Sequence, residues 1–354
     1  MANGNHSPLY DDFLLTLSHR EPAQVPVVLW YTRSALGLQG GAKTLLEYYR
    51  NPEIKLATQQ YPLEAFPEVL VFPGIYPDYG VAVEASAFNC PIRFFDNSPP
   101  RPFPLIESIK DVNRVKAIDP RRDGLMPQAL KEYEYLLTHL DRRHASRLPY
   151  LDGCVWVMGP LEVAGFILGH EKLFLSLYDE PGLVHRLLTI VTEGLIAWLR
   201  ALEKVAGELK LICLVEHTPG QISPAHSEAF FFPYCSEIFR QFPQAFRLYH
   251  NEDRIRHIMA KLPRLGAHIW HTGPWDLREI KEAVGREMTV MGNIHPIQTL
   301  LNGTPEEVTE ACRQSLAAGA PGGGFLLSSG GGLAPETPLE NIRALIRSAS
   351  AGLP

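Results

Sequence analysis

The chain has 354 residues, a formal net charge of −6, and 45% hydrophobic, 20% charged and 10% aromatic residues. These values exclude a disordered chain, a collagen, a coiled-coil rod and a strongly basic nucleic-acid binder. Five scattered cysteines (Cys90, Cys154, Cys213, Cys235, Cys312) with no CxxC pair exclude a disulfide framework and a Cys-rich zinc site. Asp11 and Asp12 precede a short apolar run at 13–17, which is no signal peptide. No apolar window reaches the roughly 18–20 residues of a spanning helix. A reduced, cytoplasmic setting without a membrane is expected, with one domain over residues 1–354.

Residues 10–20 predict a short amphipathic helix with Phe13, Leu14 and Leu17 on one face, and residues 25–30 a strand. Helices are expected at 44–50 and 55–66. The stretch 67–104, rich in Pro, Gly and aromatics, predicts an irregular excursion over a pocket, with short strands and no long helix. Helical pattern returns at 107–115 and 126–143. From residue 149 the rhythm is regular. Strands are expected at 150–159, 209–217, 245–252, 267–273, 288–294 and 323–332. Helices are expected at 161–168, 172–178, 181–204, 224–241, 253–262, 276–284, 305–318 and 338–349. Such short, near-continuous apolar strands require a parallel sheet covered by helices. The length favours a (β/α)8 TIM barrel over a doubly wound sheet, and no dinucleotide-type glycine turn follows the first strand.

A barrel places its chemistry at the carboxyl ends of its strands. Those ends read Glu216-His217, His250-Asn251-Glu252, Trp270-His271-Thr272, Asn293-Ile294-His295, and Ser328-Ser329 before three glycines. His250 and Glu252, two apart on a strand, point to one face, and His271 on the next strand is placed to meet them. Such a set suits a divalent metal, zinc above all, bound by imidazole nitrogen and carboxylate oxygen. It equally suits metal-free proton transfer, with Glu216 and His217 as candidate catalytic groups. Trp30, Tyr31 and Trp156 are expected to line an aromatic pocket, and Tyr249 and His295 to face substrate. The plain alternative for any single rim histidine is a hydrogen-bonded structural role.

The segments MGNIHPIQTLLNGTPEEVTEACRQSL, GGGFLLSSGGGLAPETPLENIRALI, GPLEVAGFILGHEKLFLSLYDEPGLVHRLLTIVTEGL and AFNCPIRF together resemble the uroporphyrinogen decarboxylase superfamily. That resemblance implies a (β/α)8 barrel with its cleft at the carboxyl rim. One branch decarboxylates uroporphyrinogen without a cofactor and holds substrate carboxylates with paired arginines. Here Arg33 matches one arginine, Gly37 falls where the second would be, and Asp78 sits near the decarboxylase's catalytic aspartate. The other branch consists of zinc-using methyltransferases that exchange methyl with cobalamin on a partner protein. Their thiol-directed members bind zinc through His-x-Cys and a Cys in the last glycine-rich strand end. In this chain Glu252 replaces the first Cys, and Gly330 or Gly331 the second. The resemblance therefore implies zinc on His250, Glu252 and His271. The implied reaction takes methyl from an O-methyl donor, such as a methoxyaromatic, to cobalamin on a corrinoid-binding partner protein. The alternatives are a cofactor-free decarboxylase and a degenerate ligand-binding barrel.

Overall fold

The computed structural model describes residues 7–30 and 43–350. The helix Pro8–Leu17 starts where Ser7 accepts from the Tyr10 N–H, with Pro at its first turn. It plugs the floor of a barrel: Phe13 is buried with its ring 5.9 Å from Phe72 and 5.5 Å from Phe246.

Eight parallel strands form the wall. These are β1 (Val28–Trp30) and β2 (Leu70–Phe72), then β5 (Cys154–Met158), β6 (Leu211–Val215), β7 (Phe246–Asn251), β8 (Ile269–Thr272), β9 (Thr289–Ile294) and β10 (Phe325–Ser329). β3 (Ile92–Arg93) and β4 (Arg101–Pro102) form a separate antiparallel hairpin. The ladders run β10-β9-β8-β7-β6-β5 and β1-β2. Val27 bridges in parallel to Leu327, and the Ser328 hydroxyl donates to Val28 O at 2.7 Å, joining β1 to β10. Between β2 and β5 the Tyr150 hydroxyl accepts from Val71 N (3.1 Å) and donates to Val71 O (3.2 Å). The expected α/β barrel is the observed architecture.

Leu70–Phe72 is one of the short strands expected in the stretch 67–104, but it joins the barrel wall instead of the excursion. Three buried apolar residues suffice for a strand of a parallel barrel, and flanking prolines hide so short a run. The rest of that stretch is the helix Ala82–Ala87 and the β3–β4 hairpin. It is tied to the helix Pro160–Leu168, at the carboxyl end of β5, by the Leu105 and Ile106 N–H groups donating to Ile167 O. The helix expected at 253–262 is instead a turn followed by a 3-10 helix, Met259–Leu265, within which Pro263 has no N–H to donate.

The helix Pro181–Ala206 is the one described helix long and apolar enough to cross a membrane, a window the sequence reading did not find. Its buried residues recur at helical spacing (Val184, Leu187, Leu188, Val191, Leu195, Trp198, Leu199, Leu202) and form one face of the core.

A buried ion pair ties the helix Pro52–Ala65 to the helix Met126–His139. Lys55 pairs with Glu132, Tyr79 donates to the other Glu132 oxygen at 2.8 Å, and the Lys55 ammonium lies 4.0 Å above the Tyr79 ring. Glu84 is a different case. It accepts from Met158 N at 3.3 Å, and burial pushes its carboxyl up to about 7 from an ordinary 4.5. The folded state therefore holds this proton more tightly than the unfolded chain. Stability associated with Glu84 is full below about pH 4.5 and falls as pH rises to about 7, by up to about 3 kcal/mol, then stays flat. Glu84→Gln keeps the accepting oxygen and cannot ionise. It should raise the melting temperature relative to wild type more at pH 8 than at pH 5; an equal shift at both pH values would contradict this assignment.

Candidate metal and methyl-donor site

His217, His250 and Glu252 converge at the carboxyl ends of β6 and β7, and one ligand atom of each lies within 4.8 Å of the others. His250 faces the barrel interior. Trp30 of β1 stacks on its ring at 4.7 Å and 21°, a contact between non-adjacent strands that must cross the barrel. Burial, then the neighbouring His271 and His217, hold the His250 imidazole neutral, far below its ordinary range. A neutral imidazole is the form that binds a metal.

His217 is oriented by a carboxylate that the sequence reading did not single out. Glu162 accepts from the backbone N–H of His217 (2.9 Å) and Thr218 (3.2 Å), and its Oε1 lies 3.5 Å from His217 Nδ1. Burial opposes ionisation of Glu162, but hydrogen bonds from His170 and His217 outweigh it and hold the carboxyl well below its usual range. Burial likewise opposes a charged His217, and Glu162 with Glu252 outweighs it and raises that pKa. A ring nitrogen held by a carboxylate while the other faces outward is the usual arrangement of a metal-ligating histidine. Oxygen–nitrogen donors of this kind fit zinc.

Other expected site residues take different places. His271 is fully buried, its Nδ1 2.8 Å from His250 Nδ1 and its Nε2 2.9 Å from Ser329 O. Both of its ring nitrogens are thereby engaged, so it lies behind the cluster of His217, His250 and Glu252 rather than in it. Glu216 caps the helix Pro160–Leu168, accepting from Leu161 N at 2.8 Å and Glu162 N at 3.3 Å. Burial, then the nearby Glu162 charge, push the Glu216 carboxyl well above its usual range, and Gly159 leaves it room, since a Cβ there would stand 2.5 Å from Oε2. Tyr249, next to His250 on β7, points the other way, its hydroxyl donating to Glu216 O at 3.0 Å. His295 caps the segment Pro296–Leu301, its Nδ1 accepting from Ile297 and Gln298 N–H. It lines an open outer pocket of about 680 Å³ rather than the cluster. Asp78 is buried, accepting from the Tyr48 hydroxyl (3.0 Å) and Gly80 N (2.7 Å). Tyr31, Arg33 and Gly37 lie outside the described residues.

The expected aromatic pocket has a wall of three rings. Tyr76 stacks on Trp156 at 6.1 Å and 10°, Trp156 packs on Trp30 at 5.4 Å, and Trp30 covers the two imidazoles. The buried Trp156 indole N–H has no hydrogen-bond partner among the described residues.

Gly331 closes the site from β10. Its φ is +108°, and a Cβ there would overlap the Glu252 carboxylate. Gly331→Ala should therefore turn the carboxylate out of the cluster and strain the backbone by about 1–3 kcal/mol. Zinc titration of this variant should show weakened binding; wild-type affinity would contradict the placement of Glu252.

The profile of the uroporphyrinogen decarboxylase (URO-D) family matches residues 9–351. The chain belongs to that family. Uroporphyrinogen decarboxylase of Cellvibrio japonicus is 24% identical to this family member, covering 97% of this chain and 96% of that protein. A methylcobamide:CoM methyltransferase (MtbA) of Methanosarcina mazei is 25% identical over 81% of this chain and 82% of its own length. Among solved structures, a methyltransferase from Methanosarcina mazei superposes with a TM-score of 0.73 at 19% identity, covering 97% of this chain and 98% of its own. URO-D relatives thus include both chemistries the residues pointed to. Glu162 was open to discovery in the family's GPLEV segment: it sits three residues after Gly159, on the first turn of the helix after β5, where a carboxylate meets the next strand end.

Proposed function

We propose that this protein is a corrinoid-dependent methyltransferase that moves a methyl group from an O-methyl donor to the corrinoid of a partner protein, with zinc held by His217, His250 and Glu252. The observation that carries this reading is the convergence of those three ligand atoms at the barrel rim, backed by the Glu162 carboxylate behind His217. The similarity to a methylcobamide:CoM methyltransferase supports the branch. Zinc bound there supplies positive charge to the donor oxygen as it leaves as an anion.

The chain's own residues then do three things. Glu162 and the buried His271 hold the two imidazoles in fixed orientations. The wall of Trp30, Trp156 and Tyr76 excludes water beside the imidazoles, and the unpartnered Trp156 N–H is a donor for an ether or phenolic oxygen. A methyl carbon held beside the cluster needs only alignment for an in-line displacement.

The test is methylation of free cob(I)alamin by a methoxyphenol, followed by the change in corrinoid absorbance, alongside metal analysis. About one zinc per chain with zinc-dependent methyl transfer supports the proposal. Release of carbon dioxide from uroporphyrinogen without zinc would replace it with the decarboxylase reading. Absence of zinc and of both reactions would replace it with a ligand-binding barrel.

A further inference from the structure

We propose that His271 is a positioning residue that sets the tautomer of His250, so that a backbone carbonyl of β10 decides which nitrogen β7 presents at the rim; the consequence for metal rests on the reading above. The argument begins at Ser329. Its carbonyl oxygen lies 2.9 Å from His271 Nε2 and can only accept, so that nitrogen carries the hydrogen. The Gly331 N–H also approaches Nε2, at 3.3 Å. That longer contact cannot govern, because a bare Nε2 would set its lone pair against the carbonyl oxygen at 2.9 Å.

A neutral imidazole has one N–H, so His271 Nδ1 is bare. It lies 2.8 Å from His250 Nδ1, which must therefore donate. This leaves His250 Nε2 bare, and that is the atom 3.9 Å from Glu252 Oε2, inside the cluster. Reversing the Ser329 bond would reverse both rings and place a hydrogen where a metal would bind. Trp30 lies over both rings, 4.7 Å from His250 and 4.5 Å from His271, and opposes a ring flip that would evade the relay.

Long-range proton–nitrogen spectra of metal-free, 15N-histidine-labelled protein read the tautomer directly, with the His250 signals assigned by their loss in His250→Gln. The expected spectrum has hydrogen on His250 Nδ1 and a bare Nε2. His271→Phe, which keeps a ring beneath Trp30 and removes both nitrogens, should lose that single tautomer and weaken zinc binding about 10–100-fold. A hydrogen on His250 Nε2 in the wild-type protein overturns the relay, as does an unchanged tautomer in a folded His271→Phe variant. Wild-type protein that shows the expected tautomer and binds no zinc supports the relay and overturns the metal reading instead.

Discussion

His250→Ala is expected to strip zinc from the protein and to abolish methyl transfer. Removing an outer hydrogen-bond partner of a metal ligand typically weakens binding about 10–100-fold, and removing the ligand itself should exceed that range. His250 is the central member of the cluster: it is buried, held neutral, and stacked under Trp30. The substitution leaves His217 and Glu252 as two partly exposed ligands without a third. Zinc per chain, measured after dialysis, should fall from about one to near zero, and cob(I)alamin methylation should fall with it. A His250→Ala variant that keeps both would remove the cluster from the mechanism.

Lys55→Met should have the largest effect on stability. Lys55 is fully buried and paired with Glu132, whose side chain is 6% exposed. Burial pushes the Glu132 carboxyl up, and the Lys55 charge opposes that shift. Removing one partner of such a pair leaves a buried group uncompensated, which costs about 3–5 kcal/mol, whereas replacing both with apolar residues is close to neutral. Urea unfolding should show Lys55→Met destabilised by this amount and Lys55→Met/Glu132→Leu largely restored. A single variant as stable as wild type would show that the pair contributes little.

The barrel itself was legible because six of its eight strands are apolar runs separated by periodic helices, from β5 at Cys154 to β10 at Ser329. β2 was not, because three residues between prolines carry too little pattern. At the rim, the two-residue spacing of His250 and Glu252 correctly placed them on one face, and His217 in the adjoining strand end. The role of each histidine was not legible. Choosing between His271 and His217 as the third group depends on side-chain contacts, which engage both His271 nitrogens with His250 and the Ser329 carbonyl. Tyr249 and Glu216 face the helix layer, because alternation along β7 and the cap on the helix Pro160–Leu168 place them there. Glu162 acts through its fold neighbours His170 and His217; its place on the first turn of the helix after β5 was the one sequence signal, and its partners show only in the fold.

The cluster of His217, His250 and Glu252 contains no cysteine. All five cysteines are buried, and burial raises the pKa of each thiol. Zinc K-edge absorption of the metal-loaded protein therefore tests the account most directly. The predicted first shell contains only nitrogen and oxygen, at about 2.0–2.2 Å. A sulfur shell near about 2.3 Å, or no bound zinc at all, would contradict it.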